Sequence, residues 1–366
     1  MANETHYGVI SDVHQDPRIV PAAIEVLKKL GAEKLLINGD IGNHQKSLQD
    51  SQNHVAFILD SVGKSGLEAY VQPGSHETLL GFGPVMDAFA EKYSNLVDAT
   101  KTPKVDQKGH SLIFLPGSDF FCGGEYQIGN HEQISSGRYI QTQKGLIQFE
   151  EFGQYVGAIK KEIAKGAMQY ANMNDLRKLV SDPDKSIVVC HVPRRFDNLE
   201  YAVDMAEFGI TEFGFKEYHL RDHKGNNFVA IENYGEDHSA FLDKLRTSGL
   251  KVENVRPVKG GSVLQLDGAK HYVELGANVE IRRENRENED LKSLYEELGI
   301  NKAVNGHFHE SGHRANDTYG NHVYEGEKVT DLFWNSGHLD AGQTGILTVG
   351  DGEVSYRNIR LEEHLR

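Results

Sequence analysis

The 366-residue chain contains two cysteines, Cys122 and Cys190, too few for a disulfide framework. Cys190 lies inside an apolar run and reads as a small core residue. No stretch approaches the roughly 18 consecutive apolar residues of a membrane span. Met1 to His6 is polar and lacks the charged-then-apolar plan of a signal peptide. The expectation is a cytoplasmic protein with no membrane partner. Basic charge is short too: 39 Lys and Arg against 54 Asp and Glu leave a formal net charge of −15. So acidic a chain disfavours nucleic acid as a partner over its whole surface. No Gly-x-Gly-x-x-Gly follows a strand and no P-loop lysine motif occurs, so nucleotide-cofactor readings lack support. No internal repeat or low-complexity segment is present. At 38% hydrophobic and 25% charged residues, the balance excludes a wholly disordered chain. Histidine, by contrast, is plentiful at 18 residues, enough to make a metal site worth seeking.

The first 75 residues read as repeated strand–helix units. Tyr7–Ser11 suits a buried strand; Ala23, Val26, Leu27 and Leu30 stripe a helix closed by Gly31. Leu35–Ile37 is a second strand ending at Gly39-Asp40, Val55, Ile58, Leu59 and Val62 stripe a second helix, and Ala69–Val71 begins a third strand. Alternation of this kind predicts an α/β fold with a parallel sheet and outer helices. Further strands are expected at Leu112–Leu115, Ile187–Cys190 and Ala303–Val304, and a helix capped by Asn288 and stopped by Gly299. Two hairpins are expected near the end, Val263–Leu266 with Tyr272–Leu275 across Asp267-Gly268, and Gly345–Val349 with Val354–Ile359 across Asp351-Gly352. Residues 119–184 and 193–290 fall outside the pattern and read as insertions capping the core. Within the second, Arg282–Glu287 is a mixed-charge run read as a solvated face.

The residues at the strand ends carry the chemistry. Asp12-Val13-His14, Gly39-Asp40, Gly74-Ser75-His76-Glu77, His191 and Gly306-His307-Phe308-His309 each come directly after an apolar strand. Ligands of open α/β sheets bind outside the carboxyl ends of strands. Imidazole and carboxylate without cysteine suit manganese, iron, cobalt, nickel or zinc better than calcium. There are more ligands than one ion needs, which points to two ions sharing a carboxylate, a pair able to bind a phosphoryl group.

With these strings in this order, the chain resembles the calcineurin-like metallophosphoesterase superfamily, from residue 7 to about 360 apart from the two insertions. The resemblance implies a two-sheet β-sandwich flanked by helices, a single catalytic domain over 1–366. It implies Asp12, His14 and His309 on one divalent transition metal ion, His191 and His307 on the other, and Asp40 bridging. It implies His76 as the general acid oriented by Glu77, and hydrolysis of a phosphodiester or phosphomonoester by in-line attack of a metal-bridging hydroxide. The family has Asn where this chain has Ser75, whose hydroxyl sits on an arm one bond shorter; Ser75 is expected to ligate the second ion directly or through water, with weaker affinity. The alternative is a non-catalytic metal- or ligand-binding scaffold on the same fold, with Ser75 as the mark of decay. The insertions suggest a capped site for a small phosphate ester such as a nucleotide.

Gly129-Asn130-His131-Glu132 matches the family string letter for letter. Residues 74–77 are preferred because a strand precedes them, whereas Cys122–Gln127 does not read as one. His309-Glu310-Ser311-Gly312-His313 fits the zinc-protease pattern, but the glycines around it oppose the helix that pattern requires. His44, Arg194 and Arg195 are candidates for substrate contact, the arginines as a phosphate clamp, and His338 is read as structural.

Overall fold

The structure is a computed structural model. It describes residues 4–42, 47–119, 124–161, 163–197 and 288–365, together with the backbone of the strands between residues 205 and 285. The chain divides into two compact units, Met1–Asp204 with Glu287–Arg366, and Met205–Arg286. The second unit's bounds fall inside the expected insertion 193–290.

The larger unit opens with β1 (Thr5–Ile10), α1 (Val20–Lys29), β2 (Lys34–Asn38), α2 (Leu48–Lys64), β3 (Glu68–Gln72), α3 (Leu79–Lys92) and β4 (Leu96–Asp98). It continues with β5 (Lys104–Gln107), β6 (His110–Leu115), β7 (Tyr126–Gly129), β8 (Gly137–Thr142), β9 (Gly145–Phe149), α4 (Phe152–Lys160), β10 (Gly166–Asn172), α5 (Leu176–Leu179) and β11 (Ser186–Cys190). The smaller unit contributes β12 (Met205–Thr211), β13 (Lys216–Arg221), β14 (Asn227–Ile231), β15 (Val252–Val258), β16 (Gly261–Leu266), β17 (Ala269–Tyr272) and β18 (Val279–Asn285). The larger unit then resumes with α6 (Glu289–Leu298), β19 (Lys302–Asn305), β20 (Ala315–Asn316), β21 (Leu332–Asn335), β22 (Gln343–Gly350) and β23 (Glu353–Arg360).

This is a mixed α/β fold. One six-stranded sheet has the order β23-β22-β1-β2-β3-β4, parallel from β1 to β4 with an antiparallel hairpin on its edge. The other has the order β20-β21-β19-β11-β6-β5, parallel through its four central strands. Alternation along each strand divides the apolar residues into two clusters. Tyr7, Val9, Leu36 and Tyr70 from the first sheet share one with Phe114, Val189, Val304 and Trp334 from the second. Ile10, Leu35, Ile37 and Val71 turn the other way and pack on helices through Leu27, Val55, Ile58, Leu59 and Val62. Each such side chain, fully buried, contributes about 1.5–3 kcal/mol.

The expected helix caps are present. The Asn288 side chain accepts from the Leu291 amide at 2.8 Å, and Gly299 ends the helix at φ 71°. The β22–β23 hairpin closes on Asp351 and Gly352, both at positive φ, as a two-residue turn of matching twist requires. The other hairpin differs in register: Leu266 pairs with Ala269, so the second strand is Ala269–Tyr272 rather than Tyr272–Leu275, the shortest connection having set the register. Its two turn residues lie outside the described residues. Within the stretch 119–184 a separate sheet forms, in the order β7-β10-β8-β9. Its β7 corrects the expectation that no strand precedes Gly129. Tyr126 and Ile128 are buried and alternate with Gln127 and Gly129, a period of two visible in the sequence.

Tyr7 on β1 donates to His110 Nε2 on β6 at 2.7 Å, a buried bond that joins the two large sheets. Burial holds the His110 ring below its ordinary value of 6.5. The unfolded chain therefore takes up a proton at that position before the folded chain does. The stability His110 confers is complete above about pH 6.5 and is lost as pH falls toward the depressed folded value. A His110→Gln variant is expected to show a flatter fall of melting temperature below pH 6.5 than the wild type, measured by thermal scans at constant ionic strength.

Candidate metal centre

The parallel strands end on one side with Asp12 and His14 after β1, Asp40 after β2, Ser75 and His76 after β3, His191 after β11, and His307 and His309 after β19. Three of these residues hold left-handed backbone, Asp12 at φ 57°, Asp40 at 54° and His307 at 69°. That conformation is costly for side chains with a Cβ and persists where the surroundings enforce it. The loops are tied across the sheet: Asp12 N donates to Gly39 O at 3.1 Å, Val13 N to Asp40 O at 2.7 Å, and Gly306 N to His191 O at 3.0 Å.

The functional side chains converge. Ligand atoms of Asp12, His14 and His309 lie within 4.8 Å of one another, as do those of Asp40, His191 and His307, and those of His14, Asp40 and His76. His309 Nε2 donates to Asp12 Oδ1 at 3.2 Å. His191 Nε2 is 3.1 Å from Asp40 Oδ2 and 3.9 Å from Asp12 Oδ1. His191 Nδ1 donates to the Asn38 carbonyl at 2.8 Å, which aims Nε2 at the carboxylates. That Nε2 is buried and makes no hydrogen bond. Burial opposes charge on Asp12 and Asp40, yet the facing histidines, His191 foremost, hold both carboxyls below the usual range. Burial equally opposes charge on His191, and Asp40 and Asp12 overcome it and raise the ring to about 10. Two buried carboxylates facing imidazole nitrogens within 4.8 Å form groups close enough together to hold a metal ion.

A layer of buried carboxamides lies beneath the cluster. Asn38 Nδ2 reaches the Val304 carbonyl at 3.3 Å, and Gln72 Nε2 donates to Asn38 Oδ1 at 2.6 Å and to the Val189 carbonyl at 3.1 Å. Asn305 Nδ2 binds the Cys190 and Val192 carbonyls at 2.9 and 3.1 Å, and Asn335 Nδ2 those of Gly306 and Phe308 at 3.2 and 3.0 Å. The Asn38 and Gln72 amides tie the first sheet to the second, and those of Asn305 and Asn335 tie neighbouring strand ends within the second, where the sheet ladders stop and buried carbonyls need partners. Sequence reasoning missed them, though each of these Asn and Gln residues stands one or two places before a glycine in Asn38-Gly39, Gln72-Pro73-Gly74, Asn305-Gly306 and Asn335-Ser336-Gly337.

The glycines at these ends are set by close approach. A Cβ on Gly306 would collide with Ser11 Oγ and Asp12 Oδ2, and one on Gly74 with Asp40 Oδ1. Gly306→Ala is therefore expected to displace Asp12, weakening divalent-ion binding at least about tenfold by the usual measure for a disturbed ligand support. A calorimetric manganese titration checks this.

Several expectations need correction. Glu77 does not orient His76. Its carboxylate accepts from the amides of Ile41 and Gly42 at 2.5 and 2.9 Å and of Gly74 at 2.7 Å, and so braces the Asp40 loop against the Ser75 loop. Being buried beside Asp40, that carboxyl is pushed up to about 7. The carboxylate facing the His76 ring is Asp40, 3.9 Å from Nε2. Ser75 donates its hydroxyl to Asp40 Oδ2 at 2.8 Å, and its amide also donates to Asp40. The hydroxyl therefore orients the carboxylate. Arg194 does not form a phosphate clamp. Its guanidinium lies 5.0 Å over both Phe196 and Phe333 and reaches Glu296 at 3.4 Å, where burying its stem on aromatic rings outweighs exposing the charge. Arg195 pairs with Glu289 at 3.2 Å. His44 lies outside the described residues.

Asn130, His131 and Glu132 are exposed at the end of β7, where the His131 amide donates to Tyr170 at 2.8 Å, and none belongs to the three ligand groups. His309–Ser311 is a single 3-10 turn, not the helix a zinc-protease site needs, and His313 bonds the Thr344 carbonyl at 2.9 Å. His338 stacks on His309 at 4.2 Å, extending a row in which His309 faces His14 at 5.2 Å and His14 faces His76 at 4.5 Å. His338, read from the sequence as structural, is thus a neighbour of the cluster.

The donor set, the unpaired His191 Nε2 and the enforced left-handed loops fit a metal ion. No family model matches the chain, and no curated protein matches it. Among solved structures, one is 11% identical, with 97% of this chain and 98% of its own covered and a TM-score of 0.45. The crystal structure of TT1561 of Thermus thermophilus is 9% identical, with 98% and 100% covered and the same TM-score of 0.45. Likeness this loose assigns neither family nor activity. Among the described residues no helix is long and apolar enough to cross a membrane.

Proposed function

We propose that the chain is a phosphoesterase of the calcineurin-like kind, its two six-stranded sheets forming a helix-flanked sandwich and its segments 119–184 and 193–290 inserted into one catalytic domain. In this reading Asp12, His14 and His309 hold one divalent ion, His191 and His307 hold a second, and Asp40 lies between them. The supporting observation is the buried Asp40 carboxylate, adjacent to His191, His76 and Ser75 and a member of two ligand groups, one with His191 and His307 and one with His14 and His76. When bound, the ions supply Lewis-acid charge to a phosphoryl group and acidify bound water.

The chain's own residues account for the rest. Asp40 accepts from the His76 amide at 2.9 Å, so the shared carboxylate also fixes the backbone that carries the proton donor. The His76 side chain is 27% exposed, and in this reading it donates a proton to the departing oxygen of the ester. Ser75 keeps Asp40 in one orientation. A small ester, such as a nucleotide, is the substrate class.

The test strips the protein with a chelator, reloads it separately with manganese, iron, cobalt, nickel or zinc, and assays a panel of phosphomonoesters, phosphodiesters and nucleotides. Turnover that appears on reloading and disappears on chelation supports the reading. A protein that binds the ions tightly and hydrolyses nothing in the panel is instead a non-catalytic scaffold.

A further inference from the structure

Asp340 has no part in the site described above, yet it touches one of its ligands from behind. It lies on the single 3-10 turn Leu339–Ala341, and the amides of Leu339 and Asp340 donate to the Ser11 and Asp12 carbonyls at 3.0 and 3.3 Å. Its carboxylate, 3% exposed, closes over three successive residues: Oδ2 accepts from the amides of His14 at 3.1 Å and Gln15 at 3.0 Å, and Oδ1 from Asp16 at 3.3 Å. Oδ2 also lies 3.6 Å from His14 Nδ1. That distance is too long for a hydrogen bond and close enough for the charge to bias the ring.

We infer that Asp340 is the positioning residue of His14, anchoring its backbone and favouring the tautomer with the proton on Nδ1, so that Nε2 is the nitrogen offered to a metal ion. Three observations act together. The three accepted amides fix where the His14 Cα sits. The negative oxygen beside Nδ1 stabilises a proton there. The rings of His76 and His309, both nearly parallel to His14 and stacked on it, hold the imidazole plane. On the opposite side of the loop the buried His54 on α2 donates Nε2 to the Val13 carbonyl at 2.8 Å, so the segment is gripped from two elements. The inference rests on the reading that His14 holds an ion, and it stands whether or not an ester is hydrolysed.

The test is a double-mutant cycle on manganese affinity, read by calorimetry, with His14→Ala and Asp340→Asn separately and combined. Asp340→Asn alone is expected to weaken the ion at the His14 position roughly ten- to a hundredfold, the usual range for removing a carboxylate behind a ligating histidine. In the His14→Ala background the same change is expected to weaken binding less than about twofold. An equal loss in both backgrounds would mean that Asp340 supports the loop and Asp12 rather than His14, and would overturn the inference; so would no loss in either. The zinc-loaded wild type gives a measurement free of folding effects, through nitrogen-15 spectra of labelled histidines with His14 assigned by its absence in His14→Ala. A proton on Nδ1 supports the inference, and a proton on Nε2 overturns it. Ester turnover by the manganese-loaded wild type is read separately: its absence with manganese binding intact removes the proposed activity and leaves the role of Asp340 standing.

Discussion

Asp40→Asn is expected to leave a folded protein that binds at most one divalent ion weakly and turns over phosphate esters on the order of 10²–10³ times more slowly. The amide oxygen of asparagine can still accept from the Ser75 and His76 amides, so the loop keeps its anchor. The charge is what disappears. His191, held near 10 by its two carboxylate neighbours, loses the closer one, and an amide nitrogen 3.1 Å from Nε2 repels an ion as well as a protonated ring. Metal content by atomic emission, rates with saturating manganese and a thermal scan separate loss of the site from loss of fold. Wild-type metal content in the variant would remove Asp40 from the centre of the site.

His76→Ala is expected to act differently. The sets Asp12/His14/His309 and Asp40/His191/His307 are complete without it, so metal content stays near that of the wild type. Turnover of esters with poor leaving groups, such as alkyl phosphates, should fall by roughly 10²–10⁴, the usual worth of general acid catalysis. Esters of p-nitrophenol, whose leaving oxygen needs no proton, should lose about tenfold or less. A plot of log rate against leaving-group pKa would therefore be steeper for the variant. Equal losses across the series would remove the proton-donor role and leave His76 as a substrate contact.

Much of the candidate site was legible in the chain because it is local in sequence. An apolar strand followed at once by Asp, His or Gly-Asp places a polar side chain at a sheet end whatever the rest of the fold does. Asp12, Asp40, His191 and His307 were found in this way. The residues that sequence left hidden depend on contacts between distant positions or on backbone angles. Asp340 meets His14 across 326 positions, and His338 stacks on His309 only because β21 brings its loop back to the cluster. Glu77 is next to His76 in sequence, but three buried amides nearby were stronger claimants for its oxygens. Arg194 read as half of a phosphate clamp, and only the packing of Phe196 and Phe333 shows that its stem is core. The preference for residues 74–77 over 129–132 agrees with the ligand groups, yet its stated reason fails because β7 precedes Gly129. The two strings are distinguished by the sheet each strand joins: β3 is an interior strand of a large sheet between β2 and β4, whereas β7 is the edge of a small one.

The most direct measurement is anomalous diffraction at the manganese edge from crystals grown with saturating manganese. Two peaks are expected, one ligated by Asp12, His14 and His309 and the other by His191 and His307, with Asp40 contacting both. A single peak, or two peaks with Asp40 bound to neither, would contradict the proposed shared-carboxylate centre.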